Sequence, residues 1–217
     1  MLHKLFYFSA LCATMLLASH PVSAQAKQKV IIDSDMVEIF DDGVAMMMLQ
    51  IAPNIELLGV TVVNGNSWVS DGTAWGLRQL EAIKATNVPL AMGVTRPLRP
   101  DRHTTMALER QLFGIGHDYW AGSYTYPEPE SWYAYYKEHY GAEPTIKPDD
   151  RHAVDFIIEQ VKKYPGEVTI AAIGPCTNLA LALRKAPEIV PLIKRIIYMG
   201  GSFFRPGNTT PAAEWAL

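Results

Sequence analysis

The sequence predicts an α/β fold, an open and mostly parallel sheet with flanking helices. Short β-branched apolar runs alternate with segments whose apolar residues recur at helical spacing. Acidic, amide and glycine residues cluster just after those runs, where ligands of α/β sheets bind beyond the carboxyl ends of the strands. Strand–helix–strand succession implies parallel strands joined by right-handed crossovers.

The chain has 217 residues, a formal net charge of −3 and a pI near 6.1. That is a globular composition without the basic excess a nucleic-acid backbone attracts, and the length suits one domain. Residues 1–24 have the layout of an export signal: Lys4, an apolar stretch from Leu5 to Ala18, and the small-residue site Val22-Ser23-Ala24. The stretch is too short to span a bilayer. The expectation is a periplasmic or secreted protein beginning near Gln25, without membrane attachment after cleavage. Cys12 would leave with the leader, and Cys176 would then have no internal disulfide partner. The residues before Cys12 fit a lipoprotein box poorly.

The elements follow in order. Val30, Ile31 and Ile32 read as a buried strand ending in Asp33 and Asp35, and Val44 to Ile51 reads as the helix behind Asp41-Asp42. Ile55 to Val63 is a second strand, ending at Asn64-Gly65-Asn66. Asn66 suits a sugar hydroxyl, because it both donates and accepts, and Asn-Gly equally suits a plain turn. Val69, Thr73, Leu77, Leu80 and Ile83 have helical spacing; Val88 to Met92 is a short strand. Residues 97–148 show no regular pattern, and the aromatic-rich part from Tyr119 to Tyr140 offers stacking faces for a nucleobase and fits packing or an interface slightly better. Val154, Ile157, Ile158 and Val161 mark a helix that Asp149 or Asp150 can cap, with His152 structural. Val168 to Ile173 is a strand. Gly174-Pro175-Cys176 turns into a helix from Leu179, with Thr177 or Asn178 as caps, and Arg195 to Met199 is the last strand.

Asp33, Asp35, Asp41 and Asp42 lie within ten residues, and no Lys or Arg occurs from residue 30 to 77. Two like charges about 4 Å apart repel by about 4 kcal/mol at an effective dielectric of 20. Converging carboxylates therefore need a cation or a shared proton, and oxygen-only ligands suit calcium or magnesium. The plainer reading makes Asp41 and Asp42 helix-terminal residues that complement the helix dipole, but that accounts for only one of the two pairs.

A strand followed by Asp33-Ser34-Asp35-Met36-Val37 resembles the first motif of haloacid-dehalogenase-like phosphohydrolases, whose first Asp is the nucleophile and second the acid/base. That likeness leaves Asp41-Asp42 without a role. The stretch as a whole is more similar to the N-terminal signature of the inosine-uridine-preferring nucleoside hydrolases: Asp-x-Asp, a loop, then Asp-Asp at a helix start. All four aspartates match, while Ser34, Val37 and Ile39 stand where the family commonly has Thr, Gly and Asp. Gly65-Asn66, Asp149 to Val154, Gly174-Pro175-Cys176-Thr177-Asn178-Leu179-Ala180, Met199-Gly200-Gly201, Gly207-Asn208 and Glu214-Trp215 continue the resemblance. His117 is the nearest match to a family His-Gly element, with Asp118 in place of the Gly. Ala216 replaces an Asn of the family.

The resemblance implies a nucleoside hydrolase-like, Rossmann-like fold and hydrolysis of the N-glycosidic bond of ribonucleosides, a step of purine and pyrimidine salvage. It implies calcium held by Asp35, Asp42 and the Ile173 carbonyl, with Asp35 as the base. It places Asp41 on the ribose 2′-hydroxyl, Asn66, Met199, Asn208 and Glu214 on the sugar, and Asp33 behind them as a support. It also implies a homo-oligomer at full length. It runs from about Lys29 to Trp215 and covers only the first part of a family domain, without the family's later His-Asp pair. The expectation is thus a sheet incomplete at its C-terminus. A non-catalytic nucleoside- or sugar-binding remnant is the alternative outside enzymology.

Overall fold

Three consecutive β-branched residues, Val30, Ile31 and Ile32, are buried at the centre of the sheet. A computed structural model describes residues 26–36, 38, 40–99, 102–114, 121–201, 204 and 205. The leader expected over 1–24, and the expected site residues His117, Asn208 and Glu214, lie outside the described residues. Strands β1 (Gln28–Ser34), β2 (Ile55–Val62), β3 (Leu90–Met92), β4 (Val168–Ala172) and β5 (Arg195–Tyr198) form one sheet in the order β3-β2-β1-β4-β5. Every pairing is parallel. The chain leaves β1 toward β2 and β3, then returns on the other side of β1 as β4 and β5. Such a reversal opens a crevice beyond the carboxyl ends of the central strands.

Side chains alternate across a strand, so Ile31 and Ile32 serve opposite layers. Ile31 packs with Phe156, Ile157 and Val161 of α5 (Ala153–Lys163) and with Leu179 and Ala182 of α6 (Thr177–Lys185). Ile32 packs with Met46 of α1 (Asp41–Ile51) and Leu77 and Leu80 of α2 (Val69–Ala82). Gly59 of β2 is pressed against the Phe156 ring, where a Cβ would stand 2.3 Å from the ring.

The stretch read as patternless contains two helices, α3 (Arg102–Phe113) and α4 (Trp132–Tyr140), and a 3-10 turn at Gly122–Thr125. In α4, tyrosine and tryptophan lie on both faces, which hides the apolar period. Its ends were nonetheless marked: the Ser131 hydroxyl accepts from Ala134 N at 3.1 Å, and Gly141 closes the helix at φ 60°. Helix α5 is capped by His152, whose Nδ1 accepts from Val154 N at 3.2 Å, rather than by Asp149 or Asp150. Asp149 instead holds Arg151 and covers the outer edge of β3, its N–H donating to the Leu90 carbonyl at 2.7 Å. At the other edge, β5 is open among the described residues, with Ile197 50% exposed. No described helix is long and apolar enough to cross a membrane.

Candidate active site

The carboxyl end of β1 delivers Asp33, Ser34 and Asp35 to the crevice, and the first turn of α1 adds Asp41 and Asp42. Asp33, Asp35 and Asp42 are 0%, 2% and 8% exposed. The Asp35 carboxylate receives the backbone N–H of Asn66 at 2.6 Å, and the Ser34 hydroxyl donates to Asp42 Oδ2 at 2.5 Å. Burial raises the proton affinity of Asp35, and the charge of Asp42 raises it further. Burial also raises Asp42, against the pull of the Ser34 hydrogen bond. Among the described residues no lysine, arginine or histidine forms an ion pair with either aspartate. Two acidic side chains thus face each other in a place where ionising both requires a positive charge from elsewhere.

Gly65 allows this arrangement. A Cβ there would stand 2.1 Å from Asp35 Oδ2, so only glycine lets the backbone come this close. The segment after it is tied to the acidic loop by the Ser67 hydroxyl, which donates to the carbonyls of Asp35 (2.9 Å) and Met36 (2.8 Å). Asn64 pairs with Ser123 in the 3-10 turn at 3.0 Å, and Ser123 N donates to the Gly65 carbonyl at 2.9 Å. These side chains leave no trace in the periodicity of the sequence.

The Asp33 carboxylate is fully buried at that strand end. Its Oδ1 accepts from Thr61 Oγ1 at 2.6 Å and Asn178 Nδ2 at 2.8 Å. Burial pushes its carboxyl up to about 6, opposed by those two donors. A sealed carboxylate of this kind does not suit the nucleophile of a phosphohydrolase, which must meet its substrate. Asn178 is not a helix cap: it also donates to the Val62 carbonyl at 3.1 Å and accepts from Val94 N at 2.9 Å. It therefore joins β1, β2, the segment after β3 and α6. The helix N-cap position is Cys176, which makes no side-chain cap bond, and Thr177 is the first residue of the helix. Burial raises the Cys176 thiol to about 11, which leaves it a poor nucleophile.

The other expected site residues are placed as follows. Asp41 is exposed at the start of α1, and its Oδ1 accepts from Asp42 N at 3.2 Å. Asn66 is half-buried beside Asp35. Ile173 N donates to the Asp33 carbonyl at 2.8 Å, which sets the end of β4 against the acidic strand end. Met199 is 44% exposed just past β5, its N–H on the Ala172 carbonyl at 3.0 Å. Among the described residues no group of three or more His, Cys, Asp or Glu side chains is gathered for a metal ion. The side-chain donors are two carboxylates, an all-oxygen set that fits a hard cation only with further oxygen ligands.

The sequence model of the inosine-uridine preferring nucleoside hydrolases matches residues 30–217. An uncharacterised protein of Schizosaccharomyces pombe is 37% identical over 190 residues, 87% of this chain and 54% of its own length. Uridine nucleosidase 1 of Arabidopsis thaliana is 34% identical over 187 residues, 86% of this chain and 49% of its own. Among solved structures, a plant nucleoside hydrolase superposes with a TM-score of 0.66 at 30% identity, over 87% of this chain and 52% of that one. The chain spans about half the length of the curated relatives it matches.

Proposed function

The chain belongs to the inosine-uridine preferring nucleoside hydrolase family, and from that membership we propose that its full-length protein hydrolyses the N-glycosidic bond of ribonucleosides to ribose and free base. The observation that carries the reading is the buried Asp35–Asp42 pair at the sheet's switch point, without a basic partner among the described residues.

A calcium ion is the cation we assign to this pair, held by Asp35, Asp42 and the Ile173 carbonyl, with the rest of its roughly six to eight oxygens from water, substrate or residues outside this set. Bound there, it would supply a water molecule made more acidic than bulk water. Asp35 takes the proton of the attacking water on its carboxylate. The N-glycosidic bond breaks with its electron pair going to the base, which takes up a proton from solvent as it leaves, and carboxylates facing the sugar stabilise the positive charge left on the ribose. Asp41 receives the 2′-hydroxyl, while Asn66, Met199, Asn208 and Glu214 orient the sugar. Asp33 holds the strand end through Thr61 and Asn178. His117 is assigned no step.

Residues 1–24 support export to the periplasm or medium, checked by cell fractionation of the tagged full-length protein. A homo-oligomer is proposed for the full-length protein and is read by sedimentation. The reaction is tested by ribose release from inosine and uridine, with and without a calcium chelator. Asp35→Ala is expected to lower kcat by about 10²- to 10⁴-fold. Turnover indifferent to Asp35→Ala would sink the assigned role, and nucleoside binding without turnover in the wild type would turn the reading toward a binding protein.

A further inference from the structure

Between Asp35 and Asp41 the chain passes from the end of β1 to the start of α1. Met36 N donates to the Ser34 hydroxyl at 3.0 Å, and Phe40, at the N-cap position of α1, makes no side-chain cap bond. Glu38 lies midway along this loop. Its Oε1 accepts the hydroxyl of Tyr140, 102 residues away, at 2.7 Å.

Tyr140 is a well-held anchor at the end of α4. The Arg78 guanidinium lies 5.4 Å from its ring centroid, and the Tyr136 ring meets it edge-on at 4.9 Å. The fully buried Tyr136 bonds in turn to Glu81. Arg78 and Glu81 both belong to α2, so the anchor stands on the packed α2–α4 body.

We propose that Tyr140 is a positioning residue: through Glu38 it latches the acidic loop to α4 and so sets where Asp41 and Asp42 stand. The chemistry of the tether suits the place. Asp35, Glu38, Asp41 and Asp42 put four carboxylates into eight residues. A Glu38 free to turn inward would bring its charge nearer the Asp35–Asp42 pair. An arginine or lysine could hold it back, but a positive side chain here would also attract Asp41 and Asp42 and compete with a cation for them. The Tyr140 phenol fixes the carboxylate through a neutral donor, while Arg78 lies against the ring and pairs with Glu81. The tyrosine ring loses few rotatable bonds on being held.

The effect on cation binding rests on the proposed function; the latch itself does not. The test uses the full-length protein with Y140F, E38A, the double variant, and Y133F as control, since the exposed Tyr133 bonds to Glu143 away from the loop. Hydrogen exchange is followed in peptides covering residues 35–44 of chelator-stripped protein. Y140F and E38A are each expected to speed exchange there by about threefold to tenfold. The double variant should add nothing, and Y133F should match wild type. Calorimetry should show calcium affinity weakened by up to about tenfold in Y140F, a partner one step removed from the ligands, with kcat recovered at saturating calcium. Wild-type exchange over 35–44 in Y140F or E38A overturns the latch. So does exchange that quickens equally throughout the protein, which is the mark of a merely structural tyrosine. If Y140F does not fold, E38A on the loop itself decides the question. A wild type that neither binds calcium nor releases ribose refutes the proposed function, and exchange alone then decides on the latch.

Discussion

Replacing Asn178 by aspartate separates two roles that the sequence cannot distinguish. A helix cap tolerates the change, because Asp and Asn cap about equally well, and alanine costs such a site about 1 kcal/mol. The structure predicts a different order. In N178A, Asp33 Oδ1 loses its 2.8 Å donor while Oδ2 already has no hydrogen-bond partner, and the Val62 carbonyl and Val94 N–H each lose a bond. A buried polar group left unpaired costs about 1–3 kcal/mol, so N178A should lose about 3 kcal/mol or more. For a chain of this size that lowers Tm by roughly 10 °C. N178D is worse. It removes the same donor and sets a second carboxylate against Asp33, at a repulsion of about 4 kcal/mol at 4 Å and an effective dielectric of 20. The pair can relieve this by sharing a proton. Its folded-state pKa then lies above the unfolded one, so the relief is present at low pH and lost as pH rises. Thermal and urea denaturation of the full-length protein, wild type against N178A and N178D at pH 5 and pH 8, measure this. N178D as stable as wild type at pH 8 would refute the cross-brace and restore the cap.

Two further outcomes follow from the geometry. Gly65→Ala puts a methyl group on the Asp35 carboxylate, since a Cβ there lies 2.1 Å from Oδ2 and 2.8 Å from Cγ. A displacement of about 1 Å at a reacting group can cost about 100-fold, so kcat for ribose release should fall by about that factor while far-UV circular dichroism stays unchanged; full activity would contradict the close approach. Asp71 is buried in the first turn of α2, where Tyr126 donates to its Oδ2 at 2.6 Å, and burial raises its carboxyl from 3.8 to about 6. The folded state thus binds this proton more tightly than the unfolded chain, and the stability it contributes is full below pH 4 and lost between about pH 4 and pH 6, by roughly 3 kcal/mol. Asp71→Asn should flatten that part of the stability–pH curve, and parallel curves for wild type and variant would rule the titration out.

Much of the molecule was legible without coordinates. The five described strands each coincide with or overlap a run that apolar patterning marked, β1 starting two residues earlier at Gln28; the central strands, buried on both faces, admit mostly apolar residues. The paired aspartates were legible for a related reason: four acids without a basic residue nearby have no cheap place in a packed domain. Helix α4 is not legible in the sequence, since its tyrosines serve both a buried and an exposed face and blur the helical period; α3, whose sequence is mostly polar, offers only scattered apolar positions.

The sequence by itself determined the parallel α/β architecture and the carboxylate pair at the end of β1, because local runs of side-chain type suffice for both. Only the tertiary structure decided what Asn178, Ser67, Gly65 and Tyr140 do. Each acts on a partner at least 30 residues away. A hydrogen bond across that separation depends on how strands and helices are brought together, and no pattern of neighbouring residues records it.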